Sequence, residues 1–222
     1  VEQIRRSGLA YALYLWCTTT LADGLCALNG LRIGLRMSSL PGDPPPRRLT
    51  TRDLNDPEGR AFLAACAPQL LVSSFFNQRL RAETLAVPTV ASLNIHPSLL
   101  PDAKGVDPVF QSLLHGGPAL GVTVHFMNPE FDAGQILAQQ PVEARPGASV
   151  FELTALLYRV GAELLASAVI RVAAGDKGLA QPGAGTYQSW PTAAETAALR
   201  RRGGALLRFM DLIRLARARL PR

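Results

Sequence analysis

Apolar residues crowd the stretch from Leu9 to Cys17, and the pattern over residues 2–28 predicts one long helix. Asn29-Gly30 follows, a pair suited to a helix C-terminus. Residues 30–48 read as loop and include Pro44-Pro45-Pro46. Asp56-Pro57-Glu58 then supplies a helix start, with an acceptor at the cap, Pro in the first turn and an acid near the positive helix end. That helix is expected to reach about Ala67. Leu70-Leu71-Val72-Ser73 and Thr89-Val90-Ala91-Ser92-Leu93 are short apolar runs that read as strands. Asp107-Pro108 opens another helix, and Gly116-Gly117 closes it. From Leu120 to Phe126 the pattern alternates: Val122, Val124 and Phe126 fall on one face, Thr123 and His125 on the other. Ile136 to Val142 is a further strand.

Two capping boxes organise the rest of the chain. Ser149-Val150-Phe151-Glu152 opens a long helix to about Ala174, stopped by Gly175, and Thr192-Ala193-Ala194-Glu195 opens a helix that ends at Gly203-Gly204. A last amphipathic helix, roughly 205–219, sets Leu206, Leu207, Met210, Ile213 and Leu215 against arginines. It either docks on the body or makes a homodimer contact. No internal repeat or heptad array is present.

The candidate chemistry sits where the Thr89–Leu93 strand runs out. Asn94 and His96 are two residues apart, so an extended chain carries both side chains on one face. Pro97 and Pro101 fix φ and stop the strand, leaving the polar pair at a rigid rim. In open α/β sheets, ligands gather outside the carboxyl ends of strands. An amide N–H and an imidazole there can stabilise charge on a carbonyl oxygen and relay a proton. Asp132, in Phe131-Asp132-Ala133-Gly134, can orient the imidazole and accept a proton. Neither a metal nor a covalent nucleophile is needed.

The run Asn94-Ile95-His96-Pro97-Ser98-Leu99-Leu100-Pro101, then Gly121-Val122-Thr123-Val124-His125, then Asp132-Ala133-Gly134, resembles the catalytic domain of 10-formyltetrahydrofolate-dependent formyltransferases. That family includes glycinamide ribonucleotide, methionyl-tRNA and sugar N-formyltransferases and the related hydrolases. The resemblance implies a Rossmann-like α/β fold, an open and mostly parallel sheet flanked by helices, with a helical C-terminal extension. Residues 1–180 would form the catalytic domain and 181–222 a basic helical extension. The co-substrate implied is 10-formyltetrahydrofolate. Its pterin would meet Phe75, Phe76 and Asn77 on one side and Asn128, Phe131 and Asp132 on the other, largely through backbone groups. Asn94, His96 and Asp132 would be catalytic, with His125 close by in a supporting role. Tyr187-Gln188-Ser189-Trp190-Pro191 resembles a segment that follows the catalytic domain in several members.

Family members usually begin with a strand and a glycine-bearing turn. This chain enters a helix at once, so that opening is expected to be missing through truncation. The C-terminal part looks too short for the RNA-binding barrel of the methionyl-tRNA enzymes. By elimination the expected acceptor is a small primary amine, such as an amino sugar or a nucleotide-linked amino sugar. Hydrolysis of the same donor, or folate binding without catalysis, are the alternatives.

Composition changes this picture little. Apolar residues make up 48% of the chain, enough for one real core. The net charge is +6, and much of the excess lies in Arg200–Arg222, where Asp211 is the single acid. That reads as a solvated helix face, with phosphate or RNA contact as the alternative and no stable nucleic-acid complex expected. Cys17, Cys26 and Cys66 lack metal-ligand spacing and are expected to be reduced core residues of a cytoplasmic protein. Arg5 and Arg6 before the apolar run are superficially like a signal peptide, but Thr18-Thr19-Thr20, Asp23 and Gly24 dilute it, and no transmembrane segment is expected there.

Overall fold

The computed structural model describes residues 2–18, 47, 49–76, 78–116, 120–211 and 213. Four strands make the main sheet: β1 (Leu70–Ser74), β2 (Ala91–His96), β4 (Gly121–Phe126) and β5 (Ile136–Pro141), in the order β1-β2-β4-β5. β1 and β2 are parallel; β2–β4 and β4–β5 are antiparallel. β4 and β5 are joined by residues 127–135, which is too short for a crossover, so they run as a hairpin. A second, two-stranded sheet pairs β3 (Lys104–Gly105) with β6 (Tyr187–Gln188). The helices are α1 (Glu2–Trp16), α2 (Pro57–Cys66), α3 (Ala82–Leu85), α4 (Pro108–His115), α5 (Val150–Ala173) and α6 (Ala193–Arg201).

Alternation within the strands separates core from site. Leu93 and Ile95 of β2, Val122 and Val124 of β4 and Leu137 of β5 pack with Ala168 and Val172 of α5. Each such buried aliphatic side chain stabilises the fold by roughly 1.5–3 kcal/mol. The intervening residues face the other way. The antiparallel register sets Asn94 opposite His125 and His96 opposite Thr123, so four polar side chains share one face of the sheet. A second core joins α1, α4, α5 and α6 through Tyr11, Phe110, Leu153, Leu157 and Leu199.

The strand carrying Asn94 and His96 runs from Ala91 through His96, two residues later at its start than Thr89 and three later at its end than Leu93. The polar pair is thus inside the ladder. β4, β5 and α2 lie close to their expected spans. The Asp56 side chain makes no cap hydrogen bond; its backbone carbonyl accepts from Arg60 N–H instead. α1 bends at Gly8, whose φ of 84° and ψ of 163° are non-helical. The expected extension of this helix to residue 28 falls outside the described residues beyond Thr18; of the expected 205–219 helix, residues 205–208 are not helical, 209–211 and 213 are, and 212 and 214–219 lie outside the described residues. Cys66, expected in the core, is exposed at the end of α2, and Cys17 is half-buried.

Among the described residues α5 is the one helix long and apolar enough to cross a membrane. It packs on β2, β4 and β5 as the cover of the sheet. Its Ser149 cap accepts from Glu152 N–H and donates to Asp211, while the Glu152 carboxylate is held by Arg145. Thr192 and Glu195 form the reciprocal box at α6.

Candidate active site

Asp132 is the hub of the polar face. Its Oδ1 lies 3.4 Å from His96 Nδ1, 3.5 Å from Asn94 Nδ2 and 3.7 Å from His125 Nε2. Its Oδ2 accepts from Gly105 N–H at 2.8 Å. Asp132 itself has φ of 52°, a left-handed conformation that an Asp tolerates better than most residues. Gln181 holds that turn, donating from Nε2 to the carbonyls of Asp132 (2.7 Å) and Gly134 (2.8 Å). Gly134 is where the turn passes the end of β4: a Cβ there would lie 1.8 Å from the Phe126 carbonyl oxygen.

The rim after β2 is equally constrained. Thr123 Oγ1 donates to Ser98 O at 2.6 Å and accepts from Leu100 N–H at 3.1 Å and from Gln139 Nε2 at 2.9 Å. The rim returns Ala103 O to within 3.0 Å of His96 Nε2. A carbonyl can only accept, so Nε2 carries the proton and a neutral His96 leaves Nδ1 bare, facing Asp132. Burial lowers the His96 pKa, against the pull of the Asp132 charge. Burial alone would raise the Asp132 carboxyl, but the His96 and His125 rings and the Gly105 N–H outweigh it and lower it to about 2. Near neutral pH the pair is therefore a neutral imidazole beside a carboxylate. A proton arriving at Nδ1 would lie between them, so the arrangement suits proton uptake.

These groups open on a cleft of about 510 Å³ that Asn94, His96 and Asp132 share with Tyr11, Phe75 and Tyr158. Asn94 and Asp132 also border a smaller recess of about 50 Å³, with Phe76, Asn128 and Phe131 around it. Of the residues anticipated for a folate, Phe75, Phe76 and Phe131 line the larger cleft, and each is substantially exposed. Asn128 lines the recess only, and Asn77 lies outside the described residues. Tyr187 and Trp190 bring the C-terminal segment to the cleft, their rings 6.4 Å from Phe131 and from Tyr11 respectively. Among the described residues, no group of three or more His, Cys, Asp or Glu side chains could hold a metal ion.

Sequence reasoning did not single out Gly105 or Gln181. Gln181 acts from 49 residues beyond Asp132 and carries no local motif. Gly105 acts through its backbone, which no side-chain pattern announces.

An amide and an imidazole at one strand end thus meet a carboxylate from the β4–β5 turn beside a cleft. The formyl transferase family model matches residues 31–169, and the chain belongs to that family. Over 128 residues it is 39% identical to the methionyl-tRNA formyltransferase of Chloroflexus aurantiacus, which is 58% of this chain and 41% of that relative. The chain thus spans less than half the length of the relative. Its fold is similar to that of a sugar N-formyltransferase from a Shewanella species (TM-score 0.54, 22% identity, covering 67% of this chain and 65% of the other). It is also similar to a formyltransferase from Anoxybacillus kamchatkensis, solved with UDP-4,6-dideoxy-4-formamido-L-AltNAc and tetrahydrofolate (TM-score 0.50, 24% identity, covering 55% and 64%).

Proposed function

We propose that this chain transfers a formyl group from 10-formyltetrahydrofolate to a primary amine. The observation that carries this reading is the convergence of Asn94, His96 and His125 on one carboxylate oxygen of Asp132 beside the cleft. In this reaction the amine nitrogen bonds to the formyl carbon, charge gathers on the formyl oxygen, and the bond to the donor nitrogen breaks. One proton leaves the amine and one reaches the departing nitrogen, so the proton count is conserved.

Each residue has a task that its geometry permits. Asn94 Nδ2 donates to the developing oxyanion; its 3.5 Å contact with Asp132 is at the outer limit of hydrogen bonding and is readily given up. Such a donor is worth about 10²–10³-fold in rate. His96 Nδ1 takes the amine proton, supported by Asp132, and returns it to the leaving nitrogen, worth about 10²–10⁴-fold. The cleft of about 510 Å³, with Phe75, Phe76 and Phe131 on its wall, has room for the pterin and the acceptor together, and Asn128 in the adjoining recess can meet the pterin's polar edge. The acceptor most in keeping with the fold neighbours is an amino sugar, free or nucleotide-linked.

The test incubates the full chain with 10-formyltetrahydrofolate and a panel of amines, including a nucleotide-linked amino sugar and methionyl-tRNA, and follows tetrahydrofolate release. Release should depend on the amine and fall at least 10²-fold in His96→Ala and Asp132→Asn. Full activity in those variants would reject the proton-transfer roles of His96 and Asp132. Formate without any amine would mean a hydrolase, and folate binding without turnover a non-catalytic protein.

A further inference from the structure

The Asn94 carboxamide can work as an oxyanion donor only if its nitrogen, and not its oxygen, faces the reacting carbonyl. Nothing in an isolated asparagine fixes that choice, because the two edges have nearly the same shape. His125 supplies what is missing. Its Nδ1 lies 2.7 Å from the Phe126 carbonyl oxygen, which can only accept, so Nδ1 carries the ring proton. In the neutral ring Nε2 is then a bare acceptor, and it lies 3.1 Å from Asn94 Nδ2. The ring is 2% exposed, so water does not compete for that lone pair. The antiparallel register that sets Asn94 against His125 makes the contact a direct cross-strand one.

We propose that His125 is the positioning residue of this site: its backbone-anchored tautomer holds one Asn94 N–H and aims the other at the formyl oxygen. This rests on the formyl-transfer reading above. With Nε2 protonated, or with no acceptor at that place, the amide is free to turn its oxygen toward the reaction, where it would repel the developing charge. His125 borders the smaller recess, and its effect on the reaction runs through Asn94.

Two substitutions separate its two hydrogen bonds. In His125→Asn the side chain reaches only as far as Nδ1 and keeps the tie to Phe126, but loses the acceptor beside Asn94. In His125→Gln the carboxamide oxygen reaches the Nε2 position and restores that acceptor. The expected result is a kcat lowered roughly 10- to 10²-fold in His125→Asn, with KM for the donor little changed, and most of that loss recovered in His125→Gln. In the Asn94→Ala background His125→Asn should cost less than about 2-fold, since the residue it positions is gone. An equal loss in both backgrounds, or a poorer rate for His125→Gln than for His125→Asn, would overturn the proposal.

A readout independent of turnover is the ring nitrogen resonances of His125 in labelled protein. In the neutral ring Nε2 should appear as an unprotonated, hydrogen-bonded nitrogen and shift in Asn94→Ala, while Nδ1 carries the proton. A neutral ring with its proton on Nε2 would overturn the assignment even in an active enzyme. If no amine is formylated and yet the resonances behave as stated, the reaction assigned to the chain is what fails, and the orienting contact stands.

Discussion

Gly134→Ala puts the placement of Asp132 to the test. A Cβ at 134 would stand 1.8 Å from the Phe126 carbonyl oxygen and 2.7 Å from its carbon, both backbone atoms. Real Cβ atoms essentially never come within 3.0 Å of such a neighbour, so the turn and the end of β4 must separate by at least 1.2 Å, the difference between 3.0 and 1.8. Phe126 N–H donates to Gln135 O at 2.9 Å across the same junction, and Gln181 pins Gly134 O, so the shift cannot be absorbed without loss. Asp132 lies two residues back, and its contacts at 3.4 and 3.5 Å leave no slack for an ångström of movement. A misplacement of that size costs about 10²-fold in rate. Overpacking of this kind also destabilises by about 1–3 kcal/mol, or roughly 2–4 °C of Tm per kcal/mol for a chain of this length. Steady-state kinetics with saturating donor, beside a thermal melt, gives both numbers. A variant that stays within 2-fold of the wild-type kcat (about 0.4 kcal/mol) would show that the site does not depend on this close approach.

Three further outcomes follow from the same contacts. Thr123→Val removes the hydroxyl that joins Ser98, Leu100 and Gln139, leaving buried Leu100 N–H without its acceptor; a loss of about 1–3 kcal/mol is expected in denaturant unfolding, and an unchanged midpoint would refute it. Gln181→Leu removes both donors that hold the Asp132 turn, so kcat should fall with Tm; a lower Tm at full kcat would mean the turn keeps its shape unaided. The lowered Asp132 pKa has a definite sign: the contribution is present above the ordinary value of 3.8 and is lost as pH falls toward about 2. The gap corresponds to about 2 kcal/mol, so melts between pH 5 and pH 2 should fall more steeply for wild type than for Asp132→Asn, and equal slopes would contradict the lowered Asp132 pKa.

The part of the site that side-chain type and spacing can announce was legible in the sequence. Asn94 and His96 stand two apart, and two is the strand period, so their common face followed whichever residue began the strand. His125 and Thr123 fell on one face of their strand by the same rule. The fastenings of Asp132 were not legible. Gly105 uses a backbone N–H, and Gln181 reaches the turn only because the chain returns between α5 and β6. Pairing direction was hidden too: nothing local in Gly121–Phe126 says that it runs against its neighbours, and the shortness of the 127–135 link becomes decisive only once β4 and β5 are known to be adjacent. The Gly8 bend in α1 was not legible either, because a single glycine just before the apolar run reads equally well as part of one straight helix.

The tie between Asp132 and the returning segment has a consequence for biosynthesis. Asn94, His96 and Asp132 leave the ribosome first, but Gln181, and the Tyr187–Gln188 strand that ladders to Lys104–Gly105, emerge only later. Until they do, the carboxylate has its neighbours and Gly105 N–H, and its turn lacks the Gln181 tie. A nascent chain stalled near residue 170 would carry the three polar groups while the Asp132 turn still lacked both Gln181 donors, so the carboxylate is fixed in place only after the strands that frame it have been made.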